Sequence, residues 1–486
     1  MWHEERLLIG GDLGPAEAGR TYETVNPTTG EVLGTASDAT VADAHRAIDA
    51  ARLAFDTTSW ATDRALRTRC LRQLHDALVA NADDLRTLLI AENGLPHMLT
   101  QGPGLDTPVE MINWYADLLE KYEWTEDLGV SESMGRMSSR WVEKEPVGVV
   151  SAIVPYNYPV QISLAKLVPA LAAGCTVVLK APPQTPWITA ALGKVIAEQT
   201  DIPPGVVNVL TSSEVAVGEA MVQSPLVDMV SFTGSTAAGR RIMADASATV
   251  KKVFLELGGK SAFVVVDDAP LDVAAMFAAF TITSHAGQGC AITSRLLVPE
   301  AKHDELVEQT AAMMAGVAVG DPSDPANMMG PLISEVQRRK VDGYVKGAVA
   351  EGGTVVTGGQ VPEALPDGYF YEPTLVTGLG PDATLAQEEV FGPVLVVLPY
   401  RDDDEAVAIA NNSIFGLSGT VFGVDEERAT NLARRIRAGT ISVNGGLWYG
   451  ADAPFGGYKQ SGIGREMGVP GLEEYLELKT IARPAG

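Results

Sequence analysis

Val149-Val150-Ser151-Ala152-Ile153-Val154 is a short apolar run that stops at Pro155. A run of this length without polar alternation reads as a strand buried on both faces. The residues after Pro155 repeat the theme. Pro159 to Ala173 reads as a helix, Cys175 to Leu179 as a strand, Pro186 to Thr200 as a helix and Val206 to Leu210 as a strand. Val227 to Phe232 is the next strand, Ser235 to Ala244 a helix and Val253 to Leu257 a strand. Apolar strands that alternate with helices predict an α/β domain built on a parallel sheet.

Upstream, Ala44 to Phe55 and Asp63 to Asn93 carry apolar residues at three- and four-residue spacing, so residues 38–120 read mainly as helices. Downstream, the chain is expected to change domain around Leu257-Gly258-Gly259. A second alternation begins there: a strand at Ala262 to Val266, a helix through His285, a strand at Ser294 to Val298 and a helix from Lys302 to Met314. Val394 to Leu398, Asp404 to Asn411, Gly419 to Phe422 and Glu426 to Arg437 continue it. Two segments fit neither domain. Ser131 to Glu145 alternates like a hairpin with one wet face, and Tyr475 to Ile481 reads as an exposed strand. Unpaired edges are a liability in a monomer, so both are expected to pair across a subunit interface.

A chain of 486 residues, 46% hydrophobic and 20% charged, has the composition of a globular protein of two or three domains. Its formal charge of −26 repels phosphate backbones, which excludes nucleic acid as a partner. The start, Met1-Trp2-His3-Glu4-Glu5-Arg6, has acids and no apolar core, unlike a signal peptide. The apolar tract Leu167 to Leu179 falls short of the roughly 20 residues that span a bilayer, so no membrane association is expected. Cys70, Cys175 and Cys290 are odd in number and far apart, which argues for a reducing cytoplasm rather than a disulfide framework. The six histidines are scattered without ligand spacing, so no metal is expected.

Cys290 lies in Gly287-Gln288-Gly289-Cys290-Ala291, where glycines leave the backbone open to a substrate. The bland alternative is a small buried residue. A protease-like pairing with His285 is a weaker alternative, because five residues on a helix-to-loop transition need not bring the two together. Glu256 ends a strand between apolar neighbours, and partial burial would raise its pKa into the range of a general base; otherwise it is a solvated strand end. Gly234 to Gly239 opens a helix after a strand and suits a pyrophosphate, or is simply a tight turn, since the G-x-G-x-x-G pattern is absent. Gly258-Gly259-Lys260-Ser261 mimics the end of a phosphate-binding loop, but Phe254 occupies the position where that motif needs glycine. Lys180 and the Pro155-Tyr156-Asn157-Tyr158-Pro159 loop lie at carboxyl ends of strands, where α/β proteins bind ligands. Asn157 offers an amide to an oxyanion, or else forms a turn.

Seven runs taken together resemble the aldehyde dehydrogenase superfamily. In chain order they are the Pro155–Pro159 loop, Pro203-Pro204-Gly205-Val206-Val207-Asn208-Val209, Phe232-Thr233-Gly234-Ser235, Leu255-Glu256-Leu257-Gly258-Gly259-Lys260, Gly287-Gln288-Gly289-Cys290, Glu388-Glu389-Val390-Phe391-Gly392-Pro393 and residues 454–462. The similarity runs from about Asn26 to Lys479. It implies an NAD(P)-dependent, non-acylating enzyme of two Rossmann-like α/β domains with a small β oligomerisation extension. Residues 1–122 and 145–256 would form the cofactor domain, 257–457 the catalytic domain, and 123–144 with 458–486 the bridging segments of a homodimer or homotetramer.

The resemblance also assigns roles. Cys290 matches the nucleophile, Asn157 and the Cys290 backbone N–H the oxyanion hole, and Glu256 the base. Glu466 matches a second acid, and Lys166 a lysine of the proton path. Lys180 matches the adenosine-ribose contact, Gly234 and Ser235 the pyrophosphate turn, and Glu389 and Phe391 the nicotinamide end. Val154, Pro155, Tyr156, Pro183, Phe232, Gly239, Leu257 and Gly258 complete the implied cofactor contacts. Tyr158, Gly289, Ala291, Tyr449 and Phe455 would line the substrate tunnel, with Met111, Trp114 and Trp448 either at its mouth or packed in the core; Ala165 stands where some relatives carry a bulky aromatic. Pro183 replaces an acid that commonly grips the ribose, which leaves NADP possible beside NAD. No arginine is placed for a substrate carboxylate, so an apolar aliphatic or aromatic aldehyde is expected. The competing readings are a CoA-acylating semialdehyde dehydrogenase, which usually lacks the base, and a catalytically silent binding member of the family.

Overall fold

In the computed structural model, which describes residues 3–485, Val149–Ile153 is the middle one of five parallel strands. Lys252–Glu256 and Met229–Thr233 lie on one side of it, Thr176–Lys180 and Val207–Leu210 on the other. Antiparallel edge strands complete an eight-stranded sheet: Gly462–Ile463 beside Lys252–Glu256 at one end, Leu7–Ile9 and Asp12–Gly14 at the other. The middle strands are buried on both faces because helices cover both sides, which is why they read as unbroken apolar runs. Pro159 starts the helix Pro159–Ala173, where its missing N–H costs nothing. Gly174 stops that helix at φ +102°.

The chain leaves this sheet at Glu256 and enters a second one at Ser261. Six parallel strands, in the order Thr374–Thr377, Val394–Tyr400, Thr293–Pro299, Ser261–Val265, Ser418–Phe422 and Thr440–Val443, form this sheet with an antiparallel edge at Thr354–Thr357. Separate apolar cores lie on the faces of each sheet. The helix expected to run through His285 stops at Thr283. His285, Ala286 and Gly287 adopt φ of +48°, +51° and +72°, which no α-helix accommodates.

The two segments that fit neither domain are strands, but their partners differ from expectation. Thr125–Ser133 and Arg136–Pro146 form a hairpin about Met134-Gly135, both at positive φ. Leu476–Pro484 pairs antiparallel with Arg136–Pro146, from Leu476 opposite Pro146 to Pro484 opposite Ser138. The segments thus pair with each other within one chain, because the turn after the C-terminal helix Gly468–Glu473 returns the chain alongside the hairpin. The sequence pattern does not mark the hairpin Thr21–Val25 with Val32–Ser37, which is only partly buried, or the strands Leu7–Ile9 and Asp12–Gly14, which are only three residues long. Among the described residues no helix is long and apolar enough to cross a membrane.

Arg295 fixes the strand that follows Cys290. Its buried guanidinium donates from Nε to the Lys260 carbonyl at 2.8 Å, from Nη1 to Ile409 at 2.9 Å and from Nη2 to Ala410 at 2.8 Å. These bonds satisfy the carboxyl end of the helix Asp403–Asn411 and tie it to both central strands. Arg295→Met is expected to cost about 2–4 kcal/mol, since several buried carbonyls lose their donor together. A fall in the urea midpoint at unchanged m-value is the predicted readout.

Candidate active site

Parallel strands present their carboxyl ends along one edge. In the first sheet this edge carries the Val154–Tyr158 loop, Lys180, Gly234 and Glu256. In the second sheet, Ser261 and Thr293 are paired at the beginning of neighbouring strands, and Cys290 sits just before Thr293. The carboxyl edge of one sheet therefore meets the amino edge of the other, with Glu256 and Cys290 at the junction. A side chain on Gly259 would bring its Cβ within 2.4 Å of the Cys290 carbonyl oxygen, so only glycine allows this approach.

Cys290 and Glu256 lie within hydrogen-bonding reach of each other. Burial, reinforced by the neighbouring Glu466, pushes the Glu256 carboxyl up to about 8. Burial and the adjacent carboxylates raise the Cys290 thiol well above its ordinary value. Thiol and acid therefore hold their protons near neutrality, and one must pass its proton on before either reacts. Oε1 of Glu256 is buried without a partner. Behind it, Lys166 Nζ donates to Glu466 Oε1 at 2.9 Å, with both side chains buried, and Lys166 also sits over the Phe254 ring at 4.8 Å. Glu466 is held in place by backbone bonds to Phe455, 2.7 and 2.8 Å long.

Asn157 is buried and donates Nδ2 to the Gln288 carbonyl at 3.0 Å, which leaves its second amide N–H free. Two residues to which the sequence assigns no site role support this arrangement. Gln288 anchors the cysteine loop: Nε2 donates to the carbonyls of His285 at 3.2 Å and Pro331 at 3.3 Å, and Oε1 accepts from the Ile333 N–H at 2.9 Å. Asn93 ends the helix Ala82–Asn93 and donates Nδ2 to the Tyr156 carbonyl at 2.5 Å, clamping the residue before Asn157. In sequence, Asn93-Gly94 shows only a helix stop, so nothing local signals this contact. Gly287, at φ +72°, passes so close to Gly392 that a Cβ would lie 2.1 Å from its carbonyl oxygen. His285 is no partner for the thiol. Burial lowers its pKa to about 3, and the ring packs against Tyr158 at 5.3 Å.

The cofactor candidates line the same edge. Ser235 caps the helix Thr236–Ala246, accepting from the Ala238 N–H at 3.3 Å, and the helix N-terminus beside Gly234 suits a phosphate. Lys180 is buried, and among the described residues Nζ makes two hydrogen bonds, each 3.3 Å long, to the carbonyls of Ala181 and Ser212. Burial lowers its pKa to about 8. Pro183 is exposed nearby. At the other end Glu389 Oε1 accepts from the Gly259 N–H at 2.9 Å, and a Cβ on Gly258 would lie 2.6 Å from Glu389 Oε2. Tyr156 meets Phe391 edge to face at 6.0 Å. Val154, Phe232, Gly239 and Leu257 are buried beneath these groups, and Pro155 is half-buried beside them. A groove with a helix N-terminus and a lysine at one end, and glycines that leave room beside a carboxylate at the other, fits a dinucleotide.

The substrate candidates divide. Met111, Ala291, Trp448 and Tyr449 pack with Cys290 around Leu417, Phe455 and Met467, and Trp448 stacks on Phe455 at 5.1 Å. Gly289 precedes the thiol, and a Cβ there would lie 2.8 Å from Ile292. Trp114 and Tyr158 instead pack against the core of the first sheet, although Tyr158 is close enough to Cys290 to feel its charge.

Known proteins resemble this chain in sequence and fold. A profile described as the aldehyde dehydrogenase family matches residues 15–481. A 3-succinoylsemialdehyde-pyridine dehydrogenase from a Pseudomonas species is 39% identical over 98% of this chain and 98% of its own. Betaine aldehyde dehydrogenase of Bacillus subtilis is 37% identical over 99% of this chain and 97% of its own. Among solved structures, Staphylococcus aureus betaine aldehyde dehydrogenase in complex with NAD+ superposes with a TM-score of 0.95 at 36% identity, covering 99% of this chain and 94% of that one. Mycobacterium tuberculosis aldehyde dehydrogenase complexed with NAD+ superposes with a TM-score of 0.95 at 39% identity, covering 99% and 98%.

Asn93→Ala leaves the Tyr156 carbonyl buried without its donor, at an expected cost of about 1–3 kcal/mol. Amide exchange at Tyr156 to Tyr158 should accelerate while that of the strand Thr176–Lys180 stays unchanged.

Proposed function

The chain belongs to the aldehyde dehydrogenase family, and on that premise we propose that it oxidises an apolar aliphatic or aromatic aldehyde to the free acid, with Cys290 as nucleophile, Glu256 as base and NAD as cofactor. The observation that carries this reading is the meeting of Cys290, Glu256 and Asn157 at the junction of the two sheets. Glu256 takes the proton of the raised Cys290 thiol, and Sγ adds to the aldehyde carbon. The oxygen becomes an oxyanion, bonded by the free Asn157 amide N–H and the Cys290 backbone N–H, each such donor being worth about 3–4 kcal/mol. NAD, when bound, accepts the hydride that leaves the former aldehyde carbon. The Cys290 adduct is thereby left as a thioester. Glu256 then takes a proton from water, whose oxygen attacks the acyl carbon. The C–S bond breaks, the acid departs, and the thiolate is reprotonated. Lys166 and Glu466 lie behind Glu256 as the route by which its proton leaves.

Lys180, Gly234 and Ser235 would hold the adenosine and pyrophosphate end, and Glu389 and Phe391 the nicotinamide end. NAD is the preferred dinucleotide. Pro183 places no carboxylate against a ribose phosphate, so NADP is accepted as a weaker alternative. Residues 1–122 and 145–256 act as the cofactor domain and 257–457 as the catalytic domain. The outer edges of the three-stranded sheet remain free in a single chain, and segments 123–144 and 458–486 would use them in a homodimer or homotetramer. The three distant cysteines suit a cytoplasmic enzyme.

Cys290→Ala is expected to abolish turnover while NAD still binds, as followed by nicotinamide absorbance and by titration of the cofactor. Glu256→Gln should lower steady-state turnover by about 10²–10⁴-fold and cut free acid to the same degree. With CoA supplied, acid should remain the wild-type product; acyl-CoA as the main product would instead support the acylating reading. The raised Glu256 pKa sets the sign of the pH dependence. The base works only when deprotonated, so deacylation should accelerate as pH rises through about 8, and Glu256→Gln should flatten that profile.

A further inference from the structure

The helix Pro159–Ala173 is buried on every side except at two residues, Gln161 and Ala165. Four residues apart, they share one face. Tyr158, half-buried just before the helix, lies close to Cys290. Tyr449 is in turn close to Tyr158 and belongs to the apolar cluster around Cys290. The side-chain amide of Gln161 lies near the Tyr449 hydroxyl, and among the described residues that amide makes no hydrogen bond of its own. This half-exposed stripe on an otherwise buried helix lies beside the aromatic side chains around the thiol. On the proposed function it borders the hollow that an aldehyde must enter to reach Cys290, where Ala165 adds little bulk and Gln161 a neutral amide.

We propose that Gln161 is a specificity-determining residue whose amide hydrogen-bonds a neutral heteroatom of the substrate, so that the preferred aldehydes carry an ether or keto oxygen on an otherwise apolar chain. This rests on the reading of Cys290 as the nucleophile of an aldehyde oxidation and narrows its substrate class. An amide in an apolar wall discriminates in both directions. It rewards a ligand that bonds to it, and it is left unpaired by a hydrocarbon of the same shape. Without such a partner, an ether oxygen in this hollow carries only its desolvation cost.

The test compares heptanal with its 4-oxa, 5-oxa and 6-oxa analogues, in which oxygen replaces one methylene at increasing distance from the reacting carbon. With wild-type enzyme and NAD, kcat/KM for one of the three analogues should exceed that for heptanal by about tenfold. Gln161→Leu, nearly equal in volume, should abolish that preference and leave every analogue poorer than heptanal, with heptanal itself turned over at least as well as before. If all three analogues are poorer than heptanal in the wild type, the proposal is wrong. If a preference exists but survives Gln161→Leu, Gln161 is not its source, and that too overturns the proposal. Absence of turnover with heptanal and all analogues, by contrast, would count against aldehyde oxidation itself.

Discussion

Four residues, Leu257 to Lys260, carry the chain from the end of one parallel sheet to the start of the other, and the close approach they permit governs the whole site. They are tied down from three other parts of the molecule. The Leu257 N–H donates to the Ser461 carbonyl at 2.9 Å, and Ser461 Oγ donates to the Gly258 carbonyl at 2.7 Å. The same hydroxyl accepts from the Gly416 N–H at 2.9 Å, which joins the crossing to the second sheet. The Gly259 N–H is taken by Glu389, and the Lys260 carbonyl by Arg295. Glycine is required at 259 because the Cys290 carbonyl occupies the space where a side chain would stand, and a side chain at 258 would push the Glu389 carboxylate aside. Held this way, Glu256 at the end of one sheet faces Cys290 at the start of the other without a flexible loop between them.

That approach also sets the electrostatics. A carboxyl taken out of water and placed beside a second acid keeps its proton to an unusually high pH, although the hydrogen bond from the Cys290 thiol pulls the other way. Lys166 offsets part of this, because its ammonium bonds to Glu466 and also favours the charged form of Glu256. The strand Gly462–Ile463, which flanks Lys252–Glu256, lies just before Glu466 in the chain. A C-terminal segment therefore both backs the strand that bears Glu256 and supplies the neighbouring acid.

Much of this was legible in the sequence. The alternation from Val149 onward specified the first sheet, since strands buried on both faces cannot hide their apolar composition. The Gly258-Gly259 pair marked the crossing, and the order of short runs marked Cys290, Glu256 and Asn157. What the sequence concealed depended on contacts across long separations. Asn93 and Tyr156 are joined by a single hydrogen bond between a helix end and a loop, and neither residue type is unusual at its position. The pairing of Leu476–Pro484 with Arg136–Pro146 is hidden for a related reason: exposed, alternating strands show that they need partners but not which ones. Trp114 and Met111 share a helix face, yet one packs on the core of the first sheet and the other beside the thiol.

On this mechanism the acyl group rests on Cys290 and leaves only through Glu256. Mass spectrometry of Glu256→Gln enzyme addresses that claim most directly, when the enzyme is held with aldehyde and NAD at alkaline pH, where the Cys290 thiol freed of the neighbouring carboxylate ionises without its base, then quenched in acid and digested. The peptide bearing Cys290 is predicted to gain the mass of the acyl group in nearly stoichiometric yield, while the same peptide from wild-type enzyme carries little. An unmodified Cys290 peptide in the variant, or an acyl group found on another residue, would contradict it.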